Sequence, residues 1–141
     1  IAVMLAGTAG TLAGVGSYLQ EHVPGVQIVG VQPTPDSLSF VPDAKATIDG
    51  VVIFDKPTGC THPFVVRRNF KYDEVINVKG EDAYATAREV AASDGVFLGA
   101  SAAAALTAAK ELALRPENEG KNIVAILADN GMKYLSTNMY K

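Results

Sequence analysis

The residues of this chain whose types and spacing could do chemistry are few, and the first of them come early. Gly7-Thr8-Ala9-Gly10-Thr11 follows a continuous apolar run and leads into a segment of helical pattern. A strand that ends in glycines and feeds a helix offers free backbone N–H groups and the positive end of a helix dipole, a setting for an anion. Two threonine hydroxyls add donors. A triphosphate-binding loop needs Lys and Ser/Thr directly after its last glycine, and Thr11-Leu12-Ala13 stands there instead. The dinucleotide fingerprint G-x-G-x-x-G is not supplied by any register of Gly7, Gly10, Gly14 and Gly16. What remains is a turn sized for one phosphate monoester or a carboxylate, or else a plain connector with threonines as turn residues.

Ser101, in GASAAAALTAAKELAL, is the second candidate. It reads as a helix N-cap, a role serine fills routinely. It also reads as a residue facing a ligand in the crevice beyond the C-terminal ends of parallel strands, and the two roles are compatible. Cys60-x-His62 supplies only two ligands, with His22 far off at a helix end, which is too few for a zinc site and reads as a solvated loop. Arg67 and Arg68 precede a strand; a substrate-carboxylate contact competes there with a surface role.

The elements that must position these residues follow from the apolar pattern. Residues 1–6, 26–31, 72–78, 96–98 and 122–128 read as strands, and 50–54 as a further candidate. Residues 12–21, 80–92 and 102–114 read as helices, the second with Glu81 and Asp82 in a first turn that suits the dipole, and 132–140 as a short closing helix. Alternation of this kind predicts an α/β domain, a three-layer parallel sheet with flanking helices. Residues 33–69 are the least legible. With 141 residues and 48% apolar composition the chain can build one modest core. A formal charge of −3 with mixed signs gives no stripe for nucleic acid and no polybasic membrane patch, so a small molecule or a protein is the expected partner. No apolar run approaches the ~18 residues of a membrane span. One cysteine excludes an internal disulfide framework and fits a reducing compartment.

Several motifs, taken in order, carry a resemblance. GTAGTLAGVGSYLQEHVPGVQIVGVQP, then YDEVINV, then GVFLGASAAAA, then RPENEGKNIVAILADNGMKYLST resemble the C-terminal half of the pyridoxal-phosphate enzymes of the cysteine synthase and cystathionine β-synthase family. The resemblance spans essentially the whole chain. It implies the large-domain part of a fold-type II enzyme, with pyridoxal 5'-phosphate as cofactor, an amino acid as substrate, a homodimer at full length and a cytoplasmic setting. Gly7, Thr8, Ala9, Gly10 and Thr11 match the family's G-T-G-G-T loop around the cofactor phosphate. Ser101 matches the serine whose hydroxyl meets the pyridine nitrogen. Gly50 aligns with the first glycine of a G-I-G segment near the substrate, and Asp129 and Asn130 match an Asp-Ser pair close to the cofactor ring. A serine at that nitrogen, where other cofactor families place a carboxylate, does not hold it protonated. The ring is then a weaker electron sink, which suits loss of a β-substituent and its replacement by sulfide or a thiol.

Three departures qualify what the resemblance implies. Ala9 stands where the family has glycine, which is tolerated at negative φ. Val52 replaces the second glycine of G-I-G, and the segment after it differs, so an amine or another β-nucleophile is an alternative to sulfide. None of Lys45, Lys56, Lys71, Lys79, Lys110, Lys121, Lys133 and Lys141 sits in the family's S-x-K-D-R context, and the Schiff-base lysine is expected upstream of Ile1. On this reading the chain supplies no catalytic residue and is inactive alone. A ligand-binding or regulatory module that keeps the phosphate site without catalysis is the non-enzyme alternative.

Overall fold

The computed structural model describes residues 1–55 and 70–141. Cys60, His62, Arg67, Arg68 and Lys56 lie outside the described residues. At the centre is a parallel four-stranded sheet in the order β3-β2-β1-β4, formed by β1 (Ala2–Leu5), β2 (Ile28–Pro33), β3 (Glu74–Val78) and β4 (Val124–Ala125). β1 pairs on both sides, Val3 opposite Val29 and Ala125, and is covered on both faces, which is why it reads as an unbroken apolar run.

Helices lie on both faces, so the three-layer expectation holds. Ala2 and Met4 pack on one face with Leu12 and Ala13 of α1 (Gly10–His22), while Val3, Val29 and Val31 point to the other. There they meet α2 (Gly80–Asp94) and α3 (Ala100–Ala113). α3 lies between the sheet and α2. Ala102, Ala103, Ala104, Ala105 and Ala108 are all fully buried, because methyl-sized side chains let the backbones approach from several sides at once. Thr107 Oγ1 gives its proton to Ala103 O at 2.8 Å and accepts from Thr86 Oγ1 at 2.9 Å, which joins the two helices. Gly16, an unfavourable residue for a helix interior, makes room for a ring: a β-carbon there would overlap Phe70. Arg115 forks onto both carboxylate oxygens of Glu74 at 2.7 and 2.8 Å, tying the end of α3 to β3.

The chain runs from β1 through α1 to β2 and on to β3, then returns across the opposite face to lay β4 on the other side of β1. The direction of strand addition thus reverses at β1, and the crevice beyond the C-terminal ends of β1 and β4 is the topological switch point where open α/β sheets bind ligands.

Four expectations need correction. Residues 50–54 form no strand; Val52 N–H makes one bond to Ala6 O, while Phe54 and Asp55 N–H are taken by Gln32 Oε1 at 3.0 Å, so a side chain does the work of a ladder. Residues 96–98 contribute a single antiparallel bridge, Leu98 to Asn130. The last strand is a ladder only at Val124–Ala125, followed by one bond from Ile126 N–H to Val3 O, because beyond it the chain bends toward α3. The closing helix shrinks to a 3₁₀ turn at Gly131–Tyr134.

Candidate functional site

The loop that follows β1 leaves backbone donors without side-chain partners. Helix α1 opens at Gly10, two residues earlier than expected, and no side chain caps it, so the N–H groups of its first turn keep their donors for a ligand. Thr8, Gly10 and Thr11 are exposed at the rim, and Gly10 N–H reaches Thr8 Oγ1 only at 3.4 Å. Ala9, the N-cap, has φ 59 and ψ 12. This is the left-handed region, so the negative φ under which alanine is tolerated is not met. A non-glycine residue there costs roughly 1–2 kcal/mol of strain, which explains why the resembling family has glycine at this place. Here the methyl is buried with Leu12 and Ala13, which offsets part of that cost.

Gly50, far off in sequence, lies against this loop. A β-carbon on Gly7 would stand 2.6 Å from Gly50 O, so only glycine lets the two backbones touch. Gly50 itself has φ 75, and the bond from Val52 N–H to Ala6 O, at 2.9 Å, fixes the contact.

A second cluster forms where the loop after β4 meets the start of α3. The expected cap, Ser101, is not the cap: Gly99 holds that position, without a side chain to offer, and Ser101 sits within the first turn. Asp129 does the capping from across the loop. Its Oδ1 accepts Ala102 N–H at 2.8 Å and the Ser101 hydroxyl at 2.7 Å, and its Oδ2 accepts the Tyr134 hydroxyl at 2.7 Å. Gly99 N–H donates to Asp129 O and Gly131 N–H to Phe97 O, zipping residues 129–131 to 97–99. A β-carbon on Gly99 would overlap the Asp129 carboxylate. Burial, then the bond to Asp129, then the charges of Asp129 and Asp49 push the Tyr134 phenol well above its ordinary range, so it stays a neutral donor. The influence of Asp49 on Tyr134 also links this cluster to the Gly50 segment. Asn130 is occupied otherwise: its Oδ1 caps the 3₁₀ turn by accepting Met132 N–H at 3.0 Å.

The structure therefore brings Gly7 together with Gly50, and Ser101 with Asp129, around the ends of neighbouring strands; Asn130 is adjacent but turned to its own backbone. Gly99 and Tyr134 were missed by sequence reasoning. The signal for both was present, since Gly99 falls two residues before Ser101 and Tyr134 ends the same ADNGMKY segment that carries Asp129.

The family profile described as "Pyridoxal-phosphate dependent enzyme" matches residues 1–129. The chain belongs to that family. It is 36% identical over 135 residues to cysteine synthase 3 of Caenorhabditis elegans, covering 95% of this chain and 38% of that protein. The crystal structure of O-acetyl serine sulfhydrylase isoform 3 from Entamoeba histolytica superposes with a TM-score of 0.78 at 36% identity, over 99% of this chain and 40% of that one. That of O-ureido-L-serine synthase gives 0.77 at 29% identity, over 99% of this chain and 42% of that one. The chain thus spans about two-fifths of the length of the relatives it matches. The residues present fit the family's cofactor. An exposed, uncapped helix start flanked by two hydroxyls suits its phosphate, the close Gly7–Gly50 approach holds the segment of Gly50 against that loop, and the Ser101 oxygen, its proton given to Asp129, keeps lone pairs for a ring atom. No helix among the described residues is long and apolar enough to cross a membrane.

Proposed function

We propose that this chain is the cofactor-holding C-terminal part of a cysteine synthase-like enzyme, which replaces the β-substituent of O-acetylserine or serine with sulfide or a thiol. The observation that carries the reading is the joint placement of the Gly7–Thr11 loop and the Ser101–Asp129 pair at the switch point of the sheet, in a family that is pyridoxal-phosphate dependent. The names of the relatives, cysteine synthase and O-acetyl serine sulfhydrylase, support the substrate class. Bound, the cofactor supplies an electron sink for the leaving of the β-substituent and the entry of the nucleophile.

The chain's own residues bind and orient. Gly7, Thr8, Ala9, Gly10 and Thr11 hold the phosphate with backbone N–H groups and hydroxyls, Ser101 meets the pyridine nitrogen, and Gly50 borders the place of the substrate. Asp129 acts behind Ser101, while Asn130 shapes the turn beside it. The Schiff-base lysine and the segment that grips the substrate carboxylate come from outside this chain, which is inactive by itself. A cytoplasmic homodimer belongs to the same reading, checked by light scattering and cell fractionation of the natural protein at its full length.

The test of function uses that full-length protein, loaded with pyridoxal phosphate and given O-acetylserine. Addition of the amino acid should shift the cofactor's visible absorbance, and sulfide should then restore it while cysteine accumulates. No spectral response to any activated serine would overturn the β-replacement reading. A second nucleophile is favoured by two observations: Val52 stands in the segment laid against Gly7, and O-ureido-L-serine synthase is among the solved structures this chain resembles. Faster product formation with an oxygen or amine nucleophile than with sulfide would establish that alternative.

A further inference from the structure

The segment that brings Gly50 against Gly7 is seated on the start of α2. We propose that Gly80 and Tyr84, in the first turns of this helix, are positioning residues that fix how far residues 47–50 reach over the anion loop, and so set the affinity for the amino-acid substrate. The inference rests on the reading that Gly50 borders the place of the substrate.

Three observations carry it. The helix and the segment share one anchor. Lys79, the N-cap of α2, makes no side-chain cap bond. Ser37 caps from another loop instead: its buried Oγ accepts Gly80 N–H at 2.8 Å, while its carbonyl accepts Ile48 N–H at 2.9 Å. The start of the helix is also shaped to the segment. Glycine costs conformational entropy in a helical turn, yet a β-carbon on Gly80 would overlap the Ala46 carbonyl, so the missing side chain is the space in which Ala46 rests. One turn further on, the Tyr84 hydroxyl accepts Thr47 N–H at 3.3 Å, from a side chain that is itself buried. Finally, the parts on either side of this seat are packed. Ala83, Tyr84 and Ala87 belong to the same core cluster as Ile48 and the alanines of α3, the helix that carries Ser101. Gly50 follows Thr47 by three residues, and its carbonyl is the atom that a β-carbon on Gly7 would meet. Ile48, between them, is fully buried, so a displacement of Ala46 and Thr47 from α2 is passed on to the Gly7–Gly50 contact rather than absorbed.

The experiment uses the full-length holoenzyme. Hydrogen exchange is followed in the peptide that contains residues 46–52, and O-acetylserine is titrated against both the cofactor's visible absorbance and the steady-state rate. Tyr84→Phe takes one oxygen atom from the seat. Exchange at Thr47 and Ile48 should quicken, and the half-saturating O-acetylserine concentration should rise roughly threefold to tenfold, the range to which the loss of one hydrogen bond corresponds, with kcat nearly unchanged. Gly80→Ala pushes the Ala46 carbonyl outward and should raise that concentration further. A merely structural role would lower unfolding stability in both variants and leave the half-saturating concentration at its wild-type value, which would overturn the inference. Unchanged exchange in Tyr84→Phe, or a fall confined to kcat, would overturn it as well. Should Gly80→Ala fail to fold, Tyr84→Phe decides alone. A wild-type holoenzyme without a spectral response to O-acetylserine would overturn the reading of the substrate and the inference with it, whereas a wild-type response that neither variant alters overturns the inference only.

Discussion

Gly99→Ala tests the hinge of the site, because the three atoms nearest to an added methyl at this position all belong to Asp129. Gly99 has φ −81 and ψ 175, extended backbone that alanine adopts freely, so no conformational penalty applies. The obstacle is Asp129. A β-carbon would overlap Cγ and Oδ2 and stand 2.7 Å from Oδ1. The carboxylate has to retreat by about 1 Å to reach ordinary van der Waals separation. Such a retreat stretches the 2.7 Å bonds from Ser101 and Tyr134 and the 2.8 Å bond from Ala102 N–H beyond useful range. Each bond to a charged group contributes roughly 1.5–3 kcal/mol, but the three share one carboxylate that water can still reach, so their losses do not add in full. Replacing glycine also stabilises by roughly 0.4–1 kcal/mol through the unfolded chain. The net expectation is a loss of about 2–3 kcal/mol, a large part of a typical domain's stability. Urea unfolding of the full-length protein measures it, in a double-mutant cycle with Asp129→Ala. In that background the obstacle is gone, and Gly99→Ala should cost nothing or stabilise slightly. A loss that persists undiminished without the carboxylate, or no loss with it, would refute the reasoning.

Three further outcomes follow from the same geometry. Gly7→Ala drives a β-carbon into Gly50 O and should separate the two segments, weakening pyridoxal-phosphate binding at least tenfold in equilibrium dialysis. Ala9→Gly relieves roughly 1–2 kcal/mol of left-handed strain but gives up a buried methyl worth about 0.8 kcal/mol and about 0.4–1 kcal/mol of unfolded-state entropy. Stability should therefore stay within about 1 kcal/mol of wild type by urea unfolding, whereas Ala9→Val, β-branched at φ 59, should lose clearly more. Hydrogen bonding to Arg115, opposed in part by burial, holds the Glu74 carboxyl below its usual range. Its contribution is present above the unfolded carboxylate range and is lost as pH falls through the lowered folded value; Glu74→Gln should flatten the difference in stability between neutral and acid pH, measured by thermal unfolding.

How much of this was legible in the sequence depended on where each residue finds its partner. β1, β2, β3 and the three helices could be read because their signals are local: an apolar run covered on both faces, a helical period, two acids in a first turn. The 50–54 segment misled for the opposite reason. Gly-Val-Val-Ile-Phe has the composition of a strand, yet its backbone is bound by the Gln32 side chain and by one contact to Ala6, neither of which composition encodes. The short ladder at β4 is a similar case, since the apolar run of Asn122 to Ala128 continues past the point where pairing stops and leaves Ile126 and Leu127 exposed. Among the site residues, the Gly7–Thr11 loop and Ser101 were visible as types in a setting. Gly99 was visible only by its place two residues before Ser101; its purpose, to leave room for a side chain 30 positions away, was not, because only the fold shows which side chain that is.

The division of labour between Asp129 and Ser101 explains why the start of α3 looks poorly made by local rules. A helix beginning Gly-Ala-Ser-Ala would gain from Ser, Thr, Asp or Asn at the N-cap, and here the cap is glycine. If the capping group came from residue 99 itself, its side chain would occupy the space above the first turn, and Ser101 would have no fixed acceptor. Supplying the carboxylate from the loop after β4 satisfies the Ala102 N–H just as well. It also ties α3 to the neighbouring edge of the sheet and leaves Ser101 with its proton engaged on one side and its oxygen lone pairs available on the other. The cap thus becomes part of the site. A defect in local capping is the condition for bringing a charge within one hydroxyl of the ligand crevice, and for that reason Gly99, Ser101, Asp129 and Tyr134 should tolerate substitution only as a set.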